Sequence, residues 1–147
     1  MMKKISIPLG CVLLFCLTTA VIISMFVKGQ PVDYLEKFGV RQFMEAKSAA
    51  ESEIISEDGR LYKYYDGLCV VYNDKGRFAH AEITGKQYRC GKTGVGSSRA
   101  EIEKKFKNKP RIIDLKDNEF GFVEGEQWVY FSFKDDLADK ITIAIEF

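Results

Sequence analysis

The sequence predicts an α+β fold, an antiparallel sheet with short helices on one face, preceded by one N-terminal transmembrane helix. Three observations favour it. An uncharged run of 23 residues (5–27) lies at the start of the chain, two later regions alternate aromatic and β-branched residues between turn signals, and a stretch with helical spacing precedes each of these regions. Alternation of apolar residues with period two is typical of strands, and spacing of three and four is typical of helices.

The opening run is long enough to cross a membrane, since about 20 apolar residues span the hydrocarbon core as a helix. We therefore predict a cytoplasmic n-region and membrane anchor over residues 1–27, a linker over 28–31 and an extracytoplasmic domain over 32–147. Lys3 and Lys4 precede the run and only Lys28 follows it closely, which places the N-terminus in the cytoplasm.

Two other interpretations compete with the anchor. A signal peptide cleaved after Ala20 would release a secreted domain, and a lipoprotein signal would place a lipid on Cys11 or Cys16. The apolar run continues well past Ala20, and neither cysteine follows a typical lipoprotein sequence. These features favour the uncleaved anchor.

The first half of the domain has a helical pattern followed by strands. Apolar residues recur at helical spacing from Val32 to about Ala50, and Gly39 is expected to divide this stretch into two helices. The acidic residues 48–58 are expected to form a polar connection. Three strands separated by turn signals follow, namely Leu61–Tyr65, Leu68–Tyr72 and Arg77–Thr84.

The second half has the same organisation. Ser98 and Glu101 have the spacing of a capping box and predict a helix that runs to about Lys107, with Ile102 and Phe106 on its buried face. The strands predicted after it are Phe120–Val123, Gln127–Phe133 and Lys140–Phe147.

The two strand sets resemble copies of one unit, a helix followed by a three-stranded meander. Five residues of the first set have similar residues 58 positions later, and two more have them 60 positions later. The matched pairs are Tyr62 with Phe120, Tyr64 with Phe122, Asp66 with Glu124, Gly67 with Gly125, Tyr72 with Tyr130, Ala81 with Ile141 and Ile83 with Ile143. Such repeats predict a duplicated unit that buries one shared core.

The sequence contains no motif typical of an active site. Gly91-Lys92-Thr93 lacks the earlier glycine that a phosphate-binding loop needs, and the single histidine, His80, lies in a strand without metal-ligating companions. We therefore predict a non-enzymatic protein without cofactor or metal. The alternative is an enzyme or small-ligand carrier whose carboxylates converge only in the fold, the candidates being Asp114, Glu119, Glu124 and Glu126.

Charge and aromatic content indicate the partners. Without Lys3 and Lys4 the chain carries 20 basic and 21 acidic side chains, so we expect no nucleic-acid partner. We expect contact with the membrane through the N-terminal helix and with another envelope protein through an aromatic surface. The residues predicted for that surface are Tyr62, Tyr64, Tyr65, Trp128 and Tyr130.

Cys69 and Cys90 are the two cysteines of the outer domain. An oxidising compartment permits a disulfide between them, and two separate buried thiols are the alternative. The sequence does not distinguish these alternatives.

The segment Gly94–Phe106, with its Gly-x-Gly-Ser-Ser helix start, resembles the corresponding segment of small exported bacterial domains. These include the outer-membrane assembly lipoprotein group (SmpA/OmlA-like) and the repeat fold of the beta-lactamase inhibitor protein. The resemblance covers Arg89–Phe147 well and Val32–Thr84 as a degenerate first copy. It implies a protein-binding or structural module. The chain departs from the pattern in lacking a lipoprotein signal and in having Lys107 where a glycine usually follows the helix.

Overall fold

The computed structural model describes residues 32–45 and 50–145, except for the side chains of residues 45, 111 and 114–116. The predicted anchor (1–27) and linker (28–31) lie outside the described residues. No helix within these ranges combines the length and the apolar character needed to cross a membrane. Val32–Phe147 form one compact unit.

The described part of the chain is mostly antiparallel sheet with a few short helices. The helices are α1 (Tyr34–Lys37), α2 (Val40–Glu45) and α3 (Arg99–Phe106). The strands are β1 (Ser52–Ile55), β2 (Leu61–Tyr65), β3 (Leu68–Tyr72), β4 (Phe78–Ile83), β5 (Arg89–Cys90), β6 (Thr93–Gly94), β7 (Arg111–Lys116), β8 (Glu119–Glu124), β9 (Gln127–Lys134) and β10 (Leu137–Ile145). Strands β5 and β6 form a small hairpin, and the other eight form one sheet in the order β1-β2-β3-β4-β10-β9-β8-β7.

The first two helices follow the pattern that the sequence predicts. Asp33 caps α1, because its Oδ1 accepts hydrogen bonds from the backbone N–H groups of Leu35 at 2.9 Å and Glu36 at 3.3 Å. Gly39 separates α1 from α2 with a φ of 76°, a left-handed conformation that glycine adopts without strain. The division predicted at Gly39 is therefore confirmed.

Helix α3 begins with the capping box that the sequence predicts. The backbone N–H of Ser98 donates to Glu101 Oε2 at 3.0 Å, and the backbone N–H of Glu101 donates to Ser98 Oγ at 3.4 Å. Ile102 and Phe106 are buried, as predicted.

We expect Ser98→Ala to lower the free energy of unfolding by about 1 kcal/mol, because a backbone donor at the start of α3 loses its acceptor. Ser98→Asp keeps an acceptor at the cap and should retain most of the stability. Chemical denaturation of the three proteins measures the difference. Equal stability of Ser98→Ala and the parent protein would contradict the capping role.

The helices cover one face of the sheet, which we call the helix face. Phe106 of α3 stacks on Phe122 of β8 with ring centroids 4.8 Å apart, and Tyr34 of α1 meets the same ring edge-on at 5.2 Å. Phe38 packs against Phe131 of β9 at 6.4 Å. Side chains alternate between the faces of a sheet, so the neighbours of these strand residues point to the opposite side, which we call the open face.

Each half of the eight-stranded sheet is a meander of four strands, one strand more than the predicted unit has. Strands β1–β4 form one meander and β7–β10 the other, and the two meet where β4 pairs with β10. Glu82 pairs with Thr142, Ala81 with Ile143 and Ile83 with Ile141. Glu82 and Thr142 are 60 positions apart, the spacing predicted for these two strands, so residues matched by that spacing lie side by side where the two meanders meet.

The predicted spacing of 58 residues for the preceding hairpins is wrong. Phe122 pairs with Val129, and both lie on the helix face. Tyr64 pairs with Cys69, and successive cross-strand pairs connect these two residues to Tyr130 on the open face. The predicted spacing of 58 residues therefore matches residues of these hairpins that lie on opposite faces of the sheet. The true offset between these hairpins is an odd number, because the side-chain period of a strand is two.

Two strands of the eight-stranded sheet lie where the sequence predicts none. Ser52–Ile55 form β1 inside the acidic segment that is expected to be a polar connection, and Arg111–Lys116 form β7. Both lie at the edges of the sheet. All four residues of β1 are exposed, so this strand lacks the alternation that reveals a half-buried strand in a sequence.

Candidate interaction surface

Two rows of cross-strand neighbours cross the open face from β2 to β9, because residues that pair in register share a face. The first row consists of Tyr62, Val71, His80, Ala144 and Trp128. The second row consists of Tyr64, Cys69, Glu82, Thr142 and Tyr130. Four of the five aromatic residues predicted for an interaction surface therefore lie on this face.

The four aromatic residues form two stacked pairs. The rings of Tyr62 and Tyr64 stack with centroids 6.5 Å apart at an angle of 15°, and those of Trp128 and Tyr130 stack at 6.0 Å and 25°. Each pair spans both rows within one strand. The pairs lie on β2 and β9, four strand spacings or about 19 Å apart.

Tyr65 lies on the helix face and is separate from this surface. Its ring meets Phe43 of α2 edge-on at 5.3 Å, and it packs against the buried core. Its place follows from period-two alternation, since Tyr64 and Tyr65 are consecutive residues of one strand.

The centre of the open face is polar. Lys140 Nζ lies 3.4 Å from Glu82 Oε1 between the two aromatic pairs. Thr142 lies beside Glu82 in the second row. The surface therefore offers two apolar, ring-lined areas around a centre that carries both signs of charge.

His80 lies in the first row, and its pKa is lowered from its ordinary value of 6.5. Burial of the imidazole is the main cause, the charges of Arg60 and Lys140 act in the same direction, and Glu82 opposes them. The neutral imidazole is thus the form that the folded protein favours.

We expect stability to fall as the pH drops below the ordinary pKa of His80, because the unfolded chain then binds a proton more readily than the folded protein. Above that pKa the contribution of His80 is fully present. His80→Gln should have a flatter stability profile between about pH 7.5 and 5.5, a range above that in which carboxylates titrate. Urea denaturation at both ends of the range measures the effect. Identical slopes for the two proteins would contradict it.

Gly121 of β8 provides room for one of the aromatic pairs. A Cβ atom on Gly121 would lie 2.8 Å from Cδ1 of its cross-strand neighbour Tyr130. The absence of a side chain therefore lets the Tyr130 ring lie over the strand backbone. Sequence reasoning missed this role of Gly121, because it becomes visible only when the register of β8 and β9 is known.

A second polar cluster lies at the end of β8. The Tyr34 hydroxyl donates a hydrogen bond to Glu124 Oε2, Lys109 Nζ lies 2.8 Å from the same oxygen, and the backbone N–H of Tyr34 donates to Gln127 Oε1 at 2.8 Å. Burial, the largest influence, and the Glu124 carboxylate raise the pKa of Tyr34. The cluster connects α1 to the β8–β9 hairpin.

The pKa of Glu124 lies below its ordinary value. Burial, the largest influence, acts to raise it, but the hydrogen bonds from Lys109 and Tyr34 and the charges of Lys109 and Lys37 outweigh burial. Glu124 is therefore a partnered carboxylate in a structural cluster.

Glu119 and Glu124, two of the candidate carboxylates, are not brought together. Glu119 and Glu124 lie at opposite ends of β8, about 17 Å apart along an extended strand. Glu126 lies in the β8–β9 turn, and the side chain of Asp114 lies outside the described residues. Among the described residues, no group of three or more His, Cys, Asp or Glu side chains is placed to hold a metal ion.

Two cavities lie away from the open face. The larger, of about 370 Å³, is lined by Lys92, Thr93, Ser97, Glu101, Lys104 and Lys105. Its one carboxylate, Glu101, belongs to the capping box of α3. A cavity of about 110 Å³ lies among Leu35, Arg41, Met44, Phe78 and Ile145. Neither contains a residue of the two aromatic pairs.

Cys69 and Cys90 are free thiols in the structure. Cys69 lies on the open face between Tyr64 and Glu82, whereas Cys90 packs against the core on the helix side. The pKa of the Cys69 thiol is raised, mainly by burial and also by the charge of Glu82.

Comparison with known proteins shows a likeness of fold. No protein-family model and no curated protein sequence matches the chain. The structure resembles an extracellular protein containing an SCP domain from Bacillus anthracis strain Ames, with a TM-score of 0.56 and 10% identity. The match covers 72% of this chain and 42% of that protein, so the chain spans less than half of its length.

A second similar structure is the DUF4309-family protein YjgB from Bacillus subtilis, with a TM-score of 0.48 and 11% identity over 72% of this chain and 77% of that one. Neither protein is described as an outer-membrane assembly lipoprotein or a beta-lactamase inhibitor protein. The two groups that the sequence resembles are therefore not identified by these comparisons.

Proposed function

We propose that this chain is a membrane-anchored, extracytoplasmic module without enzymatic activity that binds another protein of the bacterial envelope through the open face. The 23-residue uncharged run ahead of the domain supports the anchor. The extracellular description of the first structural neighbour supports placement of the domain outside the cytoplasm.

The arrangement of the aromatic residues carries the proposal. Tyr62, Tyr64, Trp128 and Tyr130 share the face that the helices of the described fold leave uncovered. Tyrosine and tryptophan offer large contact areas with few rotatable bonds and polar tips, and tryptophan and tyrosine are frequent among residues that dominate binding energy. A sheet face with rings on both sides of a polar centre suits a broad protein surface better than a small molecule.

The ionisable groups support a role in binding rather than in catalysis. The groups with shifted pKa values in the polar cluster, Tyr34 and Glu124, are partnered by each other and by Lys109. Their contacts fix α1 on the sheet, as expected of a structural cluster. Two of the carboxylates considered for an active site, Glu119 and Glu124, lie at opposite ends of β8.

Photo-crosslinking in membranes tests the proposal. Benzoylphenylalanine at position 64 is expected to give a discrete crosslinked product in cells that make the full chain. The same group at Lys104, exposed on α3, is the matched control and should give none. A second substitution, Trp128→Ser, should reduce the product, because binding then loses one of the aromatic pairs. Equal products from positions 64 and 104, or none from position 64, would contradict the proposal.

A further inference from the structure

The two edges of the eight-stranded sheet differ in charge and both expose isoleucine. Ile54 and Ile55 of β1 are 54% and 74% exposed, and Ile112 of β7 is 46% exposed. No strand of the described chain pairs with the outer side of β1 or β7. Proteins usually protect such edges with charges, prolines or bulges, because an uncovered edge pairs readily with another strand.

Strand β1 is well formed for further pairing. Its register with β2 is regular over all four residues, and it contains neither proline nor a basic residue. The backbone N–H of Ser56 donates to the carbonyl of Arg60. Ser56 and every second residue before it therefore direct their backbone N–H and C=O groups toward β2. Glu53 and Ile55 therefore direct their backbone N–H and C=O groups toward the open edge.

The directions of the edge strands permit one copy to continue the sheet of another. All neighbouring pairs of the eight-stranded sheet are antiparallel. With an even number of strands, β1 and β7 run in opposite directions. A second copy shifted sideways in the plane of the sheet therefore brings its β7 beside β1 of the first copy in antiparallel orientation.

The charges at the two edges favour contact of β1 with β7 over contact between two identical edges. Residues 51–58 around β1 contain four acidic and no basic side chains, whereas residues 107–116 around β7 contain four basic and one acidic. Glu53 pairs with Lys63 and Asp58 with Arg60, while Glu51 and Glu57 have no ion pair of this kind among the described residues. Contact of β1 with β1 brings acid to acid, and contact of β7 with β7 brings base to base. Contact of β1 with β7 brings opposite charges together.

The apolar side chains also match. Ile55 pairs with Leu61, which lies on the helix face, and Ile112 pairs with Phe122 on that face. In a sheet continued from one copy to the next, the two exposed isoleucines lie on the same side and can pack. Burial of both then removes apolar surface from water at each contact.

We propose that copies of this chain associate head to tail, with the β1 edge of one copy pairing with the β7 edge of the next. The contact uses the edges of the sheet and is independent of the partner proposed for the open face. Because the two surfaces differ, association produces open chains or closed rings larger than dimers.

Mixing two edge variants of the full chain in detergent tests this arrangement. The parent protein is expected to form concentration-dependent oligomers in sedimentation velocity. Ile55→Lys and Ile112→Lys should each be monomeric, since each weakens the contact about tenfold or more. An equimolar mixture of the two should form a dimer, because one variant keeps an intact β7 and the other an intact β1. Leu137→Lys is the control and should associate like the parent protein. Leu137 is similar in size to isoleucine, is 48% exposed and lies away from both edges.

Thermal unfolding of each variant confirms that it is folded. Disulfide crosslinking gives a second reading in a chain whose four native cysteines are replaced by serine. A chain with Ile55→Cys should crosslink to one with Ile112→Cys, and neither should crosslink to itself. The inference is overturned if the parent protein is monomeric at all concentrations, if the mixture stays monomeric, or if one variant alone still dimerises.

Discussion

Phe122→Ala is expected to lower the free energy of unfolding by about 3 to 5 kcal/mol, because it leaves a cavity in the buried core. Phe122 is fully buried, and its ring contacts those of Tyr34, Phe106 and Phe131 at centroid distances of 5.2, 4.8 and 6.5 Å. Removal of the ring therefore loosens α1, α3 and β9 at once. Urea denaturation of the variant and the parent protein measures the loss.

Tyr64→Ala is the matched control, since Tyr64 lies 58 positions before Phe122 and was the residue matched with it by sequence. Tyr64 lies on the open face and is 37% exposed, so its loss should cost about 1 kcal/mol or less. Similar losses for the two variants would contradict the assignment of faces and restore the 58-residue correspondence.

Gly67→Ala is expected to lower the free energy of unfolding by about 3 kcal/mol or more, since backbone strain adds to a clash. Gly67 has a φ of 66°, and an added Cβ would lie 2.3 Å from Cα of Gly85. The carbonyl of Gly67 also accepts hydrogen bonds from the backbone N–H groups of Thr84 and Gly85 at 2.9 and 2.8 Å. The β2–β3 turn thus cannot move away from the end of β4 without losing these bonds.

Gly76→Ala separates the two causes. Gly76 has a φ of 70°, but nothing lies within 4 Å of an added Cβ. The free energy of unfolding of this variant should therefore fall by only about 1 kcal/mol, the contribution of backbone strain. Thermal and chemical unfolding of both variants provide the comparison. If Gly67→Ala were no less stable than Gly76→Ala, the close approach of Gly67 and Gly85 would not exist in the folded protein.

The sequence predicts the parts of the fold that local chemistry determines. The capping box of Ser98 and Glu101, the break at Gly39 and the central strands are found where the patterns place them. In each case neighbouring residues decide the backbone conformation. The spacing of 60 residues between Glu82 and Thr142 is found as well, because the two half-buried strands pair directly at the centre of the sheet.

Features that depend on register or on pairing at the edges are not predicted. A shift of one residue in the alignment of two hairpins places every matched residue on the opposite face of the sheet. Matching the turn glycines Gly67 and Gly125 produces such a shift. Strand β1 has four exposed residues, so its sequence lacks the alternation of a half-buried strand. Four of the five aromatic residues predicted for an interaction surface lie on the open face, whereas the places of Gly121 and of the pair Glu82 and Lys140 follow only from the register.

The accessibility of the open face in the cell tests the proposed function most directly. A cysteine at Tyr64, in a full chain whose four native cysteines are replaced by serine, is treated with a membrane-impermeant maleimide in intact cells and again after purification. Cysteine at Leu137, exposed elsewhere on the domain, is the control. We expect both positions to react in cells, with position 64 reacting several-fold more slowly there than in the purified protein and position 137 reacting equally in both. Failure of position 137 to react in intact cells would contradict an extracytoplasmic domain, and equal rates for position 64 in cells and after purification would contradict a partner on the open face.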